Sequence, residues 1–408
     1  MKKWCFSIMG GVPVGDGYPI RIMAVMNLGP ESFYKGSVFT DEKEIERYAL
    51  RVEKEGASFL DVGGASSAPP EIYGVKPVSE NEELERVVRA VRLLRDVTSL
   101  PISVDTRRAS VAEAALKEGA EIINDVSGFK EDGRMASIVA DFGASCILMA
   151  TVKKPGDARS ITEVRTSLKE SIKLAEDAGV SPEKIVVDPG IGFGKPYECD
   201  LELLRGLRRL KVLRKPLLVG VSRKHFIGCI LSLPKPEDRL IGSVAATAVA
   251  VYNGADVIRT HDVAEARQAA LVAQAISGVK TRVVEHGDYF AVDLSWLVDD
   301  VNDVEELMSV VNVSEAGSKL MSEKGVHRVI FLGNVPTPAA LALKQHLLSA
   351  GGEVATPHGA IDFKVEKCNL LVMATLKQLL SILPKLKMNV FDLPLIADLL
   401  TECIEKPS

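Results

Sequence analysis

The segment 188-DPGIGFGK-195 places a carboxylate, glycines and a lysine directly after the short apolar run 185-IVV-187. A carboxylate at the end of a buried strand needs a partner, because burial otherwise favours its protonated form. Glycines beside it allow a flat or bulky molecule to approach the backbone closely. The segment therefore predicts a pocket for a flat ligand that is rich in hydrogen-bond donors.

Other apolar, β-branched runs also end in residues that could do chemistry. These residues are Asn27, Asp61, Asp105, Asn124, Met149, Asp188, Lys224, Arg259 and His261. Buried polar groups of this kind are costly unless they are paired or bind a ligand. A single aspartate at the end of a strand often only caps the following helix, and this alternative stays open for Asp61. Caps do not explain the whole set.

The elements that must position these residues alternate between strands and helices. Strand-like runs occupy 21–27, 58–64, 101–106, 121–126, 146–151, 184–189, 217–222 and 256–261. Segments between them, such as 80–97 and 263–276, repeat apolar residues at helical spacing. Eight strand–helix units predict a (β/α)8 barrel, whose carboxyl-terminal face carries the active site, and a doubly wound open sheet is the alternative.

The pattern of predicted strands and helices changes after residue 280. Strand-like runs at 327–336 and 368–375 are each followed by a helical segment, at 337–352 and 377–386. The sequence thus predicts a barrel domain at 1–280 and a small α/β domain of unknown role at 281–408.

Composition excludes several classes of function. The net charge is −5 with no basic stripe, so nucleic acid is not an expected partner. No apolar run reaches the roughly 18 residues that a membrane span requires. The six cysteines form no C-x-x-C pair. We therefore expect a cytoplasmic protein without a disulfide framework or structural zinc.

The charges also sort along the predicted barrel. Acids and amides lie on the middle strands and suit a heterocycle with amino and ring N–H groups. Lys224 follows strand seven, while Arg259 and His261 lie on strand eight, where barrels frequently bind phosphate. Together with Asn27 of strand one, these groups suit a polyphosphate with Mg²⁺.

The motifs, taken in order, resemble dihydropteroate synthase and the wider pterin-binding barrel family. The chain looks like a divergent, archaeal-like member with an extra C-terminal domain. The motifs are 23-MAVMNLGPESF-33, 61-DVGGASSAPP-70, 103-SVDT-106, 124-NDVSG-128, 188-DPGIGFGK-195, 222-SRK-224 and 258-IRTHDV-263.

The resemblance implies a reaction and a set of roles. The family joins a 6-hydroxymethyl-dihydropterin pyrophosphate to an arylamine and releases pyrophosphate, and we expect Mg²⁺ and a homodimer. The implied pterin-binding residues are Asp105, Asn124, Met149, Asp188, Gly192, Phe193, Gly194 and Lys224. The implied catalytic residues are Asp61, Lys224, Arg259 and His261. Asn27, Arg259 and His261 would hold the pyrophosphate, with Asn27 also on the metal, and Ser66, Ser67 and Ser222 would lie on the arylamine side.

Two loops depart from the family pattern. Leu28-Gly29 stands where the family has a threonine, 35-KGS-37 replaces its D-G-G, and Ala68 replaces an arginine. These loops shape the arylamine site, so the acceptor is either p-aminobenzoate or a ribosylated arylamine phosphate of the kind used in methanopterin-type pathways. The alternatives are a pterin-dependent methyltransferase and a non-catalytic pterin-binding protein.

Overall fold

The computed structural model describes residues 3–29, 34, 36, 38–39, 41–67, 77–278, 283–286, 289–390 and 392–405. The chain divides into two compact units, Met1–Trp296 and Leu297–Ser408. The first unit thus extends beyond residue 280, where the sequence suggested a change of domain. No helix among the described residues is long and apolar enough to cross a membrane.

The chain begins with an antiparallel hairpin of strands β1 (Phe6–Met9) and β2 (Val12–Gly15). Met9 and Val14 are fully buried and pack with Met23 and Phe59 of the following strands. The Ser7 hydroxyl donates to the carbonyl of Ile185 at 2.7 Å. The hairpin therefore closes the amino-terminal end of the sheet described next, a role that the sequence did not reveal.

Eight parallel strands form the central sheet of the first unit. They are β3 (Arg21–Asn27), β4 (Phe59–Gly63), β5 (Ile102–Asp105), β6 (Ile122–Asp125), β7 (Ser145–Met149), β8 (Ile185–Asp188), β9 (Leu218–Val219) and β10 (Val257–Thr260). The order is β8-β7-β6-β5-β4-β3-β10-β9. A parallel bridge from Val187 to Leu217 joins the two end strands and closes the sheet. The predicted (β/α)8 barrel is confirmed.

Helices surround this barrel. They are α1 (Glu42–Glu55), α2 (Glu80–Val97), α3 (Ala109–Lys117), α4 (Met135–Asp141), α5 (Ile161–Asp177), α6 (Tyr197–Arg205), α7 (His225–Leu231), α8 (Leu240–Tyr252) and α9 (Val263–Ser277). In α2, the buried residues Val87, Val91 and Leu94 recur at the spacing of one helical face. Ser160 begins α5 with a capping box that Glu163 completes.

A short hairpin of β11 (Val283–His286) and β12 (Tyr289–Val292) follows. The second unit is a small α/β domain, as the sequence predicted. It contains an antiparallel sheet of order β13-β15-β14, with β13 at His327–Pro336, β14 at Glu353–Ala355 and β15 at Lys367–Thr375. Its helices are α10 (Val301–Val310), α11 (Glu315–Met321), α12 (Thr337–Ser349), α13 (His358–Ile361), α14 (Leu376–Lys387) and α15 (Leu393–Glu405).

Buried and more exposed residues alternate along β15, and the buried ones contribute to the core of this unit. Cys368, Leu370, Val372 and Ala374 are buried, and they pack with α12, α14 and α15 on one face of the sheet. The acidic segment 298–306 contains the start of α10. Asp300 caps this helix and is paired in a capping box with Asp303.

We predict that Met9→Ala lowers the free energy of unfolding of the first unit by about 2–5 kcal/mol, because it opens a cavity in the closed end of the barrel. Trp4 and Trp296 are the only two tryptophans, and both belong to the first unit. Tryptophan fluorescence during urea unfolding therefore reports on that unit. Ile8→Ala is the control, since Ile8 is exposed on the other face of the same strand. Equal losses for the two variants would contradict the buried role of the hairpin.

Candidate active site

The carboxyl ends of neighbouring strands bring the polar side chains to one end of the barrel. In the sheet register, Gly63 is paired with Asn27 on one side and with Asp105 on the other. A Cβ atom on Gly63 would lie 3.6 Å from Oδ1 of Asn27 and 3.9 Å from Cβ of Asp105. The glycine thus leaves room between these two side chains at the barrel mouth.

A guanidinium group joins two buried carboxylates at this mouth. Nε of Arg259 donates to Oδ2 of Asp61 at 2.6 Å, and its terminal nitrogen donates to Oδ2 of Asp105 at 2.9 Å. Asp61 is 0% exposed and Asp105 is 5% exposed. Buried charges of this kind persist only when they are paired. The structure therefore assembles predicted residues of strands β4, β5 and β10 into one ionic cluster.

Hydrogen bonds complete the cluster. The Ser103 hydroxyl donates to Oδ1 of Asp61 at 2.6 Å, and the Asn124 amide donates to its Oδ2 at 3.2 Å. The Ser67 hydroxyl donates to Oδ2 of Asp105 at 3.1 Å. Oδ1 of Asp105 is buried and accepts no hydrogen bond from any residue that the structure describes. This oxygen is an acceptor without a donor, which is unusual for a buried polar atom.

The charges in this cluster shift one another's ionisation. Burial raises the pKa of Asp105 to about 7, a rise that Arg259 opposes and Asp61 reinforces. Burial works against the charge of Arg259, but Asp61 and Asp105 outweigh it and raise the pKa of the guanidinium above its ordinary value. The Asp105 carboxyl is therefore easier to protonate than an ordinary aspartate.

Hydrogen bonds between side chains and the backbone hold the 188–195 loop. The Gly190 N–H donates to Oδ1 of Asp188 at 2.7 Å, and Nζ of Lys195 donates to the Gly190 carbonyl at 2.5 Å. The Gly192 N–H donates to Oδ1 of Asp200 at 2.8 Å. Gly190 and Gly192 have φ values of 70° and 74°, in the left-handed region that favours glycine. These contacts fix the loop around a carboxylate that is itself buried.

Lys224 lies across this loop. Its Nζ donates to the Ile191 carbonyl at 2.9 Å and lies 4.1 Å from the ring centroid of Phe193. A Cβ atom on Gly192 would lie 2.4 Å from Cδ of Lys224, so the lysine needs glycine at this position. Met149 is paired with Asp188 in the sheet and packs with Phe193. The predicted pterin-binding residues of strands β7 and β8 thus meet Lys224 beside an apolar surface.

Burial also shifts the ionisation of these groups. It lowers the pKa of Lys224 to about 8, with Asp188 opposing the shift and Arg259 adding to it. It raises the pKa of Asp188, whereas the Gly190 N–H, Lys224, Lys195 and Arg259 act to lower it. A ligand that gives N–H donors to Asp188 would replace part of the solvation that burial removes.

Ser222 and His261 form a hydrogen-bonded pair. The Ser222 hydroxyl oxygen lies 3.0 Å from Nδ1 of His261. It also accepts a hydrogen bond from the backbone N–H of His261 at 3.3 Å. The serine hydroxyl can donate to Nδ1 of a neutral imidazole, and in that tautomer the imidazole proton lies on Nε2. Burial lowers the pKa of His261 well below its usual value, and Arg259, Arg223 and Lys224 add to the effect. The imidazole is therefore neutral at neutral pH.

The second loop lies beside Asp105. Ser66 and Ser67 line a cavity of about 90 Å³ together with Asp105. Gly29 of the first loop is buried. Ala68, Lys35 and Ser37, where the sequence departs from the family, lie outside the described residues.

The donor set at the mouth fits a magnesium ion that arrives with a phosphate ligand. No group of three or more histidine, cysteine, aspartate or glutamate side chains suited to a metal occurs within the described part of the chain. Mg²⁺ usually uses only one or two protein oxygens and takes the rest from phosphate and water. Oδ1 of Asn27, beside Gly63 at the mouth, is an oxygen of the required kind.

Three supporting residues were missed at the sequence level. Ser103 could have been found, because it precedes Asp105 by two residues and so shares its face of the strand. Lys195 closes the glycine segment, but nothing in the pattern shows that it binds the backbone of that segment. Asp200 lies on α6 and carries no signal for its bond to Gly192.

Known proteins share this barrel and its motifs. The family described as pterin binding enzyme matches residues 23–261. A dihydropteroate synthase of Clostridium beijerinckii is 41% identical over 263 residues, which cover 64% of this chain and 96% of that protein. A dihydropteroate synthase of Coxiella burnetii, solved with pteroic acid, is 32% identical with a TM-score of 0.60 and covers 67% of this chain and 99% of that chain. The enzyme of Xanthomonas albilineans, solved with 4-aminobenzoic acid, is 38% identical with a TM-score of 0.60 and covers 67% of this chain and 98% of that chain.

The family match spans more than half of the chain and lies within the first unit. This chain therefore belongs to the pterin-binding enzyme family. Within that family its relatives are dihydropteroate synthases, so the chain is a dihydropteroate synthase-like transferase.

We predict that Arg259→Met lowers the free energy of unfolding of the first unit by about 3–5 kcal/mol, because it leaves Asp61 and Asp105 buried without their cation. Arg259 acts to lower the pKa of Asp105, so without it this carboxyl would take up a proton still more readily when folded than when unfolded. The loss should therefore be larger at pH 8 than at pH 6. Urea unfolding followed by tryptophan fluorescence measures it.

The matched control is Arg92→Met. Arg92 makes a two-point ion pair with Glu118 on the exposed surface, with distances of 2.6 and 2.7 Å. Exposed pairs contribute little to stability, so this variant should unfold nearly as the wild type does. A small, pH-independent effect of Arg259→Met would contradict the role assigned to the buried cluster.

Proposed function

We propose that this chain condenses 6-hydroxymethyl-dihydropterin pyrophosphate with p-aminobenzoate and releases pyrophosphate. The single observation that carries the proposal is the barrel mouth, where Arg259 binds the buried Asp61 and Asp105 and where Lys224 lies across the loop that follows the buried Asp188. Acceptors suit the N–H edge of a pterin, and cations suit the anionic leaving group.

The pterin is held by the acceptors. Asp188 accepts the 2-amino and N3–H groups, and the unpartnered Oδ1 of Asp105 offers a second acceptor. Asn124 has both an amide N–H and a carbonyl for the heterocycle. Met149 and Phe193 form an apolar surface for the ring, and the glycines at 192 and 194 allow its close approach. Lys224 donates to the O4 and N5 side of the pterin.

The pyrophosphate is held by Arg259, His261 and Asn27. A neutral His261 with its proton on Nε2 is a hydrogen-bond donor to a phosphate oxygen. Asn27 would also hold the Mg²⁺, which when bound supplies positive charge against the diphosphate. Asp61 orients Arg259 through their 2.6 Å bond.

The reaction needs little proton transfer from the protein. The arylamine nitrogen attacks the pterin CH₂ carbon, the carbon–oxygen bond to pyrophosphate breaks, and the weakly basic nitrogen then loses one proton to the solvent. The barrel contributes orientation of the two substrates and stabilisation of the charge that develops on the leaving group. Ser66, Ser67 and Ser222 lie on the arylamine side.

The choice of p-aminobenzoate rests on relatives solved with that compound. The altered first and second loops are the reason to test a ribosylated arylamine phosphate beside it, since a larger acceptor would need a different wall there. Methyl transfer from a methyl-tetrahydropterin would make less use of Lys224, Arg259 and His261 as a cationic group.

We further propose that the chain acts in the cytoplasm as a homodimer. All six cysteines are free thiols, which suits a reducing compartment. Helices α8 and α9 pack together and expose apolar side chains, namely Ile241, Val249, Val272 and Ile276. An apolar surface of this kind favours a second copy of the chain. Sedimentation velocity should show a dimer that Ile241→Glu with Ile276→Glu dissociates, and a wild-type monomer at all concentrations would contradict it.

We predict Mg²⁺-dependent pyrophosphate release from the pterin pyrophosphate with p-aminobenzoate, measured by a coupled phosphate assay. Gly192→Ala should lower kcat/KM by roughly tenfold or more, because the new Cβ would displace Lys224 from its contact with the pterin. Gly133→Ala is the matched control, since a Cβ there meets nothing within 4 Å.

The outcomes separate the alternatives. Turnover with the ribosylated arylamine phosphate alone would keep the synthase reaction and change the acceptor. Pterin binding that Asp188→Asn abolishes, without turnover on any arylamine, would contradict the synthase reaction. In that case methyl transfer from a methyl-tetrahydropterin distinguishes a methyltransferase from a binding protein.

A further inference from the structure

We infer that Tyr34 is a positioning residue for His261 and thereby for the diphosphate end of the substrate. The inference rests on the proposed function and adds to it a residue of the first loop. Tyr34 was not among the residues that the sequence motifs singled out.

The first observation is the contact with His261. The Tyr34 ring lies 5.1 Å from the imidazole, between centroids, at an interplanar angle of 72°. This edge-to-face geometry is one that aromatic pairs prefer. It limits rotation of the imidazole on one side while Ser222 holds Nδ1 at 3.0 Å. Two contacts from different segments thus fix the plane of one ring.

The second observation is the contact with Arg223. The guanidinium carbon of Arg223 lies 4.4 Å from the centroid of the Tyr34 ring, within the range of a cation–π interaction. Arg223 is itself held by Asp262 through two bonds of 2.7 and 2.9 Å. Tyr34 therefore rests on a rigid ion pair whose two members flank Ser222 and His261 in the sequence.

The third observation concerns Gly36. A Cβ atom at this position would lie 2.5 Å from both Cζ and the hydroxyl oxygen of Tyr34. The phenol thus lies directly over a residue without a side chain. The local sequence Tyr34-Lys35-Gly36 leaves room for the ring in this place.

These contacts give the Tyr34 ring a role in binding of the diphosphate. Because Ser222 occupies Nδ1, a phosphate oxygen would be bound through Nε2 of His261. A ring that can no longer rotate presents this donor in one direction, which lowers the entropy lost on binding the diphosphate. Diphosphate is bound before and after the reaction, so the effect belongs to binding of substrate and product.

The test compares Tyr34→Ala with Tyr34→Phe. We expect Tyr34→Ala to raise both the KM for the pterin pyrophosphate and the inhibition constant of inorganic pyrophosphate by roughly tenfold, with a smaller change in kcat. Tyr34→Phe keeps the ring and should stay close to the wild type. A Phe variant as impaired as the Ala variant would overturn the inference, because the hydroxyl would then be the acting group.

A double-mutant cycle shows whether Tyr34 acts through His261. In the His261→Ala background, Tyr34→Ala should have no further effect on pyrophosphate binding, whereas independent sites would give additive losses. Gly36→Ala is a second variant that leaves Tyr34 in the chain, and it should weaken binding in the same direction. Additive losses in the cycle would overturn the inference.

Calorimetric binding of inorganic pyrophosphate with Mg²⁺ separates this inference from the proposed function. A wild type that binds pyrophosphate but never turns over contradicts the synthase reaction, while the Tyr34 variants still test the positioning role. A wild type that does not bind pyrophosphate overturns the role of Tyr34.

Discussion

The ion pairs of Arg259 with Asp61 and Asp105 are the interaction on which the rest of the active site depends. They allow two carboxylates to be buried at the mouth of the barrel. Without a paired cation, burying either carboxylate would cost much more free energy. They also leave one oxygen of Asp105 without a donor among the described residues. The same guanidinium acts electrostatically on Asp188, Lys224 and His261. One cation therefore acts on residues proposed for the pterin side and on residues proposed for the pyrophosphate side.

The 188–195 loop has a different role in the proposed function, which is to bring its own backbone close to a flat ligand. Its glycines adopt φ values that other residues rarely reach, and Lys195 ties the loop to itself. Gly192 also makes room for Lys224. The loop follows β8, whereas Arg259 and its two carboxylates lie on β10, β4 and β5, so a ligand that reached both would contact strands that are distant in the sequence.

Local pattern was sufficient to predict the barrel, because each strand–helix unit repeats the same apolar signal and eight such units can close. It also placed Asp61, Asp105, Asn124 and Arg259 at strand ends. It could not show that Arg259 bridges two carboxylates across β4 and β5, since that contact depends on closure of the sheet.

Other features had no pattern to reveal them. The N-terminal hairpin carries only four residues per strand, too few for a periodic signal, and it is stabilised by packing against the barrel. Tyr34 contacts His261 and Arg223 through space, more than 180 residues away along the chain. Such contacts follow from tertiary structure rather than from spacing.

Proton exchange on binding of 6-hydroxymethylpterin tests the central claim most directly, because it reports on the buried carboxylates themselves. The measurement is titration calorimetry near pH 7 in two buffers of different ionisation enthalpy. N–H donors from the pterin favour the ionised forms of Asp105 and Asp188, whose pKa values burial has raised in the free site. We therefore expect net proton release that Asp105→Asn reduces. Absence of binding, or binding with proton uptake or no exchange, would contradict a site built on buried acceptors.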